Sequence, residues 1–376
     1  MRWDRRGLLA AGLGLGAAGL LAPRQAEACT GIRLKGADGS VIFARTLEWG
    51  TFDMMPRLAA VPSGIALQAA DKMPDGKPGI AWTGRHKALA IFALGKPVVT
   101  DGLNEAGLVV GMFYHPGTAV YAPYDPAQAA RSMAMTDLAG YLLTNCATVA
   151  EVRAALADIR IAPVVEPALG FPAPAHVIAI EESGQAVVIE SLEGALRVFD
   201  APFGVITNSP SYDWHMTNVR NYLELSPADR GPRRVAGVEL APIGVGSGLL
   251  GLPGDYTPPS RFIRAAAYVA TARHTTGGFD TVRESFRILD NFDLPVEAVS
   301  QERGAPGQPQ LMYSATQWTV ASDIRNRAMY YHTQFNRTLR RVKMADVDFA
   351  SLGGRVASRP LDDPREEPIR DVVPRP

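Results

Sequence analysis

The head of this chain is written to be removed, and its removal decides which residue begins the fold. Met1–Ala28 opens with Arg2, Arg5 and Arg6, runs uncharged from Gly7 to Ala22, and ends in Ala26-Glu27-Ala28. A basic start, an apolar middle and an A-x-A end are the parts of an export signal in their proper order. As a helix the uncharged run would reach about 24 Å, short of the roughly 30 Å hydrocarbon core of a bilayer. A cleaved signal is therefore expected, with no membrane span after processing. Arg5-Arg6 fits twin-arginine and Sec export alike. The expected product is periplasmic or secreted, and its first residue is Cys29.

Three readings of that cysteine compete. It could be acylated as a lipoprotein anchor, but lipoprotein signals carry an aliphatic residue at −3 and small ones after it, and Glu27 breaks that pattern. It could be a cysteine that happens to follow the signal. Or it could be an N-terminal nucleophile, because one residue then carries both a thiol and a free α-amine. An α-amine has a pKa near 7.7–8.0 and can serve as a base close to neutral pH. The thiol is intrinsically nucleophilic and needs only partial activation.

Composition narrows the partners and leaves the chemistry open. The 376 residues are 47% hydrophobic, and 38 basic residues balance 38 acidic ones. Losing Met1–Ala28 takes four arginines and two acids and leaves a formal charge of −2. That near-neutral balance excludes a basic nucleic-acid binder, so no nucleic-acid partner is expected. Two cysteines and six histidines exclude a disulfide scaffold and disfavour a Cys/His metal cluster.

Along the chain, Thr30–Lys35 and Val41–Leu47 flank a turn at Ala37-Asp38-Gly39-Ser40 and read as a hairpin that brings Arg45 and Glu48 back towards Cys29. Further strands are expected at Leu89–Leu94, Gly107–Phe113, His176–Ile180, Gln185–Glu190, Gly194–Phe199, Met312–Val320, Arg327–His332 and Thr338–Val342. Apolar spacing of helical period marks Ala127–Asn145, Val149–Ala157, Arg261–Thr271 and Phe279–Leu289. Strands gather at both ends with helices between and no βαβα alternation, which favours an α+β layered fold. No repeat or linker divides the chain. One catalytic-size domain is expected over 29–358, followed by an extended or disordered tail at 359–376 rich in proline and charge.

Most local motifs are bland. Gly246–Gly251 matches G-x-G-x-x-G, but Leu252-Pro253-Gly254 follows where a dinucleotide fold needs a helix, and the match at Gly14–Gly19 lies in the signal. His86, His115, His176, His215, His274 and His332 show no metal-ligand spacing, and each reads as a surface or packed residue. There is no G-x-S-x-G elbow. A papain-type pair with Cys29 or Cys146 is conceivable, but Cys146 ends an apolar helix and reads as an inert buried thiol.

Several polar groups remain, each explicable by turn chemistry when taken alone. Together they form an ordered series: Cys29-Thr30, the Arg45/Glu48 hairpin end, Asn104-Glu105-x-Gly107-Leu108, Thr207-Asn208-Ser209-Pro210, Trp214-His215-x-Thr217-Asn218 and Gly251-Leu252-Pro253-Gly254-Asp255. In order and spacing this series, running from Cys29 to about Val342, resembles the choloylglycine hydrolase family, which contains penicillin V acylases and bile salt hydrolases.

The resemblance implies an N-terminal-nucleophile hydrolase: a four-layer αββα sandwich of two antiparallel sheets flanked by helices. It places the nucleophile on Cys29, the arginine beside the thiol on Arg45, the oxyanion-hole asparagine on Asn208 and the arginine completing the site on Arg261. The family aspartate that contacts the α-amine falls on Glu48, a departure. The main-chain N–H that also serves the oxyanion falls on Tyr114, a position where bile salt hydrolases typically carry asparagine and penicillin V acylases tyrosine. Trp49, Phe52, Trp82, Phe113 and Tyr114 are candidates for an aromatic acyl pocket. The implied activity is hydrolysis of a linear amide in a small N-acyl substrate through a cysteine thioester, with no metal and no cofactor. Penicillin V, N-acyl homoserine lactones, conjugated bile salts and other N-acyl amines are all candidate substrates. Homo-oligomers, often tetramers, are implied as well.

Overall fold

Turn chemistry and strand propensity build the first hairpin. Thr30–Lys35 pairs antiparallel with Val41–Gly50 in the register Thr30↔Thr46 to Lys35↔Val41. The turn between them carries Gly39 at φ 78°, and the Asp38 side chain accepts the Ser40 N–H. The computed structural model describes residues 29–50, 53–303 and 310–374, with only the backbone course described for 299–303 and 310–313. Met1–Ala28, with its Gly14–Gly19 match, and Phe52 lie outside the described residues.

The hairpin forms one edge of a six-stranded sheet. Val41–Gly50 pairs along Gln310–Asp323, which also pairs with Val299–Arg303 and with Ala328–Thr333, and Arg340–Lys343 closes the far edge. Register slips between Thr316 and Trp318, a bulge at Gln317. Two residues that would otherwise share a face are thereby turned to opposite faces: Thr316 sits opposite Glu48, and Trp318 opposite Leu47.

The second sheet is eight-stranded and antiparallel throughout. Its spatial order is Ala195–Asp200, Ala186–Leu192, Ala175–Ile180, Val109–Tyr114, Val98–Asn104, Ala88–Ala93, Arg57–Val61 and Ala357–Pro360. Alternate residues feed two cores. Leu89, Ile91, Ile178, Ile180 and Val188 face the first sheet, while Ala90, Phe92, Val177, Ala179 and Ile189 face the helices Met135–Asn145 and Val149–Leu156. Burial on both faces explains why these strands read as continuous apolar runs rather than as alternating ones. Each fully buried Ile or Val there contributes about 1.5–3 kcal/mol.

Helices Pro258–Thr271 and Gly278–Leu289 cover the outer face of the first sheet. The layers therefore run helix, sheet, sheet, helix, the αββα sandwich. The strands Arg57–Val61, Val98–Asn104 and Ala357–Pro360 carry no clear sequence signal. The helix read over Ala127–Asn145 divides into a 3-10 turn at Pro126–Arg131, a short strand at Ser132–Met133 and a helix from Met135. The tail begins inside the sheet: Arg359 and Pro360 belong to its edge strand, Leu361 is buried and Asp362 pairs with Arg340, while no helix or strand follows up to residue 374. No helix among the described residues is long and apolar enough to cross a membrane.

Candidate active site

Cys29 lies at the start of the first strand, between the two sheets, and is only 2% exposed. On one side its Sγ donates to the Glu48 carbonyl at 3.7 Å. On the other, Gly31 exchanges both main-chain hydrogen bonds with Ile206, at 2.8 and 3.0 Å. That antiparallel bridge, continued by two residues, sets Cys29 across from Asn208. Gly31 is required at this crossing, because a Cβ there would stand 2.7 Å from the Phe113 ring and 2.8 Å from Ile206.

Arg261 locks the pairing. Its Nη1 donates to the Cys29 carbonyl and to Thr30 Oγ1 (2.9 Å), and its Nη2 donates to Asn208 Oδ1 at 2.7 Å. Nε donates to the Tyr256 carbonyl at 2.9 Å, so all three guanidinium nitrogens are engaged. The glycine-rich segment before it builds this geometry. Asp255 accepts from Thr257 N, Thr257 Oγ1 and Ser260 Oγ, which starts the helix that carries Arg261 in its first turn. Hydrogen bonds from the Thr257 hydroxyl and its neighbours hold the Asp255 carboxyl down at about 2. Arg264 clasps the same loop through the Pro253 and Asp255 carbonyls. Burial draws the Arg261 pKa down to about 10, against the opposing pull of Glu48 and Cys29.

Arg45 is fully buried between the sheets. It pairs with Asp101 at 3.0 Å, donates to the Met112 carbonyl at 3.2 Å and lies 4.3 Å from the Phe113 ring centroid. Burial would lower its pKa, but the Asp101 carboxylate, with Cys29 and Glu48, outweighs that and the net direction is upward. Trp318 Nε1 approaches the same Asp101 oxygen at 3.5 Å, which the bulge makes possible.

Glu48 faces the helix side of its strand. Its Oε1 accepts from the Thr316 hydroxyl at 2.9 Å, while Oε2 has no hydrogen-bond partner among the described residues. Burial pushes its carboxyl up to about 7, against the pull of the Thr46 hydroxyl, Arg261, the Thr316 hydroxyl and Arg45. A carboxyl poised there can hold or release a proton near neutrality.

Asn208 Nδ2 donates to the Tyr114 carbonyl at 2.7 Å, which leaves its second amide hydrogen for another acceptor. His115 N donates to Pro174 O, so the antiparallel alternation turns both main-chain groups of Tyr114 away from Ala175–Ile180 and towards the Asn208 amide. Cys29 and Arg45 open into an apolar cavity walled by Leu47, Trp49, Met54, Phe113, Tyr114 and Leu169 among others. Trp49 and Tyr114 meet edge to face at 5.2 Å.

The structure thus brings together Cys29, Arg45, Glu48, Asn208, Arg261, Tyr114, Trp49 and Phe113. Trp82 is not among them, and this corrects its assignment to the pocket. Its strand Ala81–Thr83 pairs outside the two main sheets, and its Nε1 donates to Thr144 Oγ1 at 3.0 Å beside a separate cavity against the helix Met135–Asn145. Asn104 is structural: its amide donates to the Leu143 and Cys146 carbonyls and its oxygen accepts from Leu108 N. Burial drives the Cys146 thiol up to about 12, which leaves it a poor nucleophile. The Gly246–Gly251 segment forms a short 3-10 turn rather than opening a helix.

Sequence reasoning missed Asp101, Thr316, Glu190 and the joint placement of His115, His176 and His215. Asp101 and Glu190 did leave a signal, each being an acid inside an apolar strand.

Residues 29–356 match the family model described as linear amide C–N hydrolases, choloylglycine hydrolase family. A conjugated bile acid hydrolase from Lactobacillus acidophilus is 30% identical over 279 residues, 73% of this chain and 85% of the relative. In fold, the chain resembles a variant of conjugated bile acid hydrolase from Clostridium perfringens, with a TM-score of 0.76, 24% identity and coverage of 92% and 100% of the two chains. It likewise resembles penicillin V acylase from Agrobacterium tumefaciens, with a TM-score of 0.70, 22% identity and coverage of 89% and 92%. A buried cysteine set against an apolar cavity, in a sandwich whose residues 29–356 match this family model, identifies the chain as a hydrolase of linear amides belonging to the choloylglycine hydrolase family.

Proposed function

We propose that the chain, once Met1–Ala28 is removed during export, cleaves the amide of an N-acyl substrate with an uncharged, apolar acyl arm, as a periplasmic enzyme of the penicillin V acylase kind. One observation carries this reading: Cys29 lines a cavity whose only charged wall among the described residues is Arg45. A lipid anchor is disfavoured by the same burial, since an acylated cysteine has to stand clear of the fold.

In the proposed cycle the α-amine of Cys29 takes the thiol proton, and Sγ attacks the amide carbonyl. Two buried guanidiniums, Arg45 and Arg261, favour the thiolate by charge. Glu48, through the oxygen that lacks a partner, is available to hold the new amine. The oxyanion is received by the second amide hydrogen of Asn208 and the Tyr114 N–H. The ammonium returns its proton to the leaving amine as the C–N bond breaks. Water then attacks the thioester, giving the carboxylic acid and free thiol.

Tyr114, Trp49 and Phe113 would grip the acyl arm, which favours aryl-acetyl or fatty-acyl amides over acyl groups that carry charge. A chromogenic panel of phenoxyacetyl, fatty-acyl and steroid amides, run with mature protein and with Cys29→Ser, tests the reading. Cleavage of the apolar members, lost in Cys29→Ser, is expected. Equal hydrolysis by Cys29→Ser, or a mature mass that shows a diacylglyceryl adduct on Cys29, would overturn it.

A further inference from the structure

The corner Thr207-Asn208-Ser209-Pro210 is held from behind by three buried histidines that come from three separate elements. His176, on the strand Ala175–Ile180, places Nε2 3.1 Å from Thr207 O. His215, on the helix Tyr212–Val219, places Nε2 3.0 Å from Asn208 O. His115, just past the strand Val109–Tyr114, places Nε2 3.3 Å from Pro210 O. A carbonyl oxygen only accepts, so each ring must carry its proton on Nε2 and donate it.

Glu190 completes the group. Its carboxyl lies 3.0 Å from His176 Nδ1 and accepts the Tyr212 N–H at 3.1 Å. With Nε2–H already committed to Thr207, a neutral His176 accepts at Nδ1 from a protonated Glu190. Burial raises the Glu190 carboxyl and lowers His115 and His176 to about 3 and His215 to about 4, which agrees with neutral partners throughout. His215 stacks on Phe262 at 4.7 Å, next to Arg261, which grips Asn208 Oδ1 from the other side.

We propose that His115, His176 and His215 are positioning residues for amide hydrolysis: their Nε2–H donors fix the main-chain course of residues 207–210 and so aim the Asn208 carboxamide at the carbonyl that Cys29 attacks. This rests on the reaction proposed above. A metal centre at His115, His176 and Glu190, whose donor atoms lie within 4.8 Å of one another, is the competing reading. The His115 and His176 rings are stacked 4.1 Å apart and parallel within 6°. In-plane lone pairs on parallel rings do not converge on one ion, so the hydrogen-bonded clamp is the better account.

The test is a double-mutant cycle with His215→Phe, which keeps the stack on Phe262 and removes the donor. Expected is a fall in kcat of about 10- to 100-fold with KM changed less than about threefold, because the loss is one of alignment in the transition state. His215→Gln, which restores an N–H near the Nε2 position, should recover most of the rate. In an Asn208→Ala background His215→Phe should cost nothing further, since it acts through Asn208. An undiminished kcat in His215→Phe, or fully additive losses, would overturn the clamp. Loss of the reaction's dependence on Cys29 would instead overturn the reaction itself.

A measurement on the unmodified protein stands beside these variants should His215→Phe fail to fold. Histidine ¹⁵N shifts should show three rings as the neutral Nε2–H tautomer from pH 8 down to 5. An Nδ1–H tautomer at His215, or stoichiometric metal in the purified protein, would refute the assignment.

Discussion

Replacing Arg45 by methionine separates what this residue does for the fold from what it does for the sulfur. Arg45 and Asp101 form a 3.0 Å pair with side chains 0% and 3% exposed. Removing one member of such a pair leaves the other charged and desolvated, which costs about 3–5 kcal/mol. Against a typical domain stability of about 5–15 kcal/mol this is a large fraction. Asp101→Asn in the same chain removes the orphaned charge and keeps an acceptor for Trp318 Nε1. Arg45→Met/Asp101→Asn should therefore recover most of the lost stability, within about 1.5 kcal/mol of the unmodified protein.

Activity should not follow. Opposite charges about 4 Å apart are worth about 4 kcal/mol at an effective dielectric of 20, a rate factor of up to about 10³ if the whole of it acts on the thiolate. Urea unfolding of the two variants, beside hydrolysis rates and iodoacetamide alkylation of Cys29, reads both quantities. A double variant that is stable yet within threefold of full activity would refute a catalytic part for the Arg45 charge. An Arg45→Met single variant as stable as the unmodified protein would refute the buried-pair account.

Asn208→Ala should lower kcat about 10²- to 10³-fold, the usual effect of removing one oxyanion donor, with Cys29 alkylation retained; an unchanged kcat would remove Asn208 from the reaction. Acid should destabilise the fold in a defined window. His115, His176, His215 and His332 have folded-state pKa values lowered to about 3–4 by burial, below the unfolded value near 6.5. Their stability is fully present above about pH 6.5 and is lost as pH falls to about 3–4, up to tenfold in the folding constant per ring per pH unit. Glu48 acts in the opposite sense: raised to about 7, it keeps its proton in the fold and weakens stability as pH rises from about 4.5 to 7. The four rings outweigh the single carboxyl between about pH 4.5 and 6.5, so stability should start to fall below about pH 6.5 and fall more steeply below 4.5, where Glu48 no longer offsets one ring. Chemical denaturation across pH 3–8 checks this, and a stability flat down to pH 3.5 would contradict neutral buried rings. Glu48→Gln should remove the neutral-pH weakening, so equal pH dependence in that variant and the unmodified protein would show that Glu48 does not titrate as described.

Much of the fold was legible because the signals are local. The Asp38-Gly39 turn, the apolar strands and the helix Gly278–Leu289 follow from turn chemistry and periodicity within a few residues. The helix over Ala127–Asn145 was overextended because alanine-rich spacing looks helical, whereas tertiary pairing of Ser132–Met133 with Arg160–Ile161 interrupts it. Trp82 was misplaced for a related reason: aromatic character marks burial but not which cavity a ring borders.

The partners of the site residues are a different matter. Arg45 meets Asp101 56 residues away, Arg261 reaches Cys29 across 232, and Glu48 meets Thr316 across 268. No window along the chain contains such pairs. Resemblance could place Cys29, Arg45, Asn208 and Arg261, but only their surroundings show what holds them.

From its order of residues alone, this protein declares a hairpin that returns Arg45 and Glu48 to Cys29 and the strands of a layered α+β fold, because each rests on neighbours in the chain. Tertiary structure alone decides that Asp101 neutralises Arg45, that a bulge at Gln317 gives Glu48 its threonine, and that three histidines from separate elements hold one corner. Those choices depend on which groups share a water-poor interior. There, an unpaired charge or donor is costly enough to select its partner from anywhere in the chain.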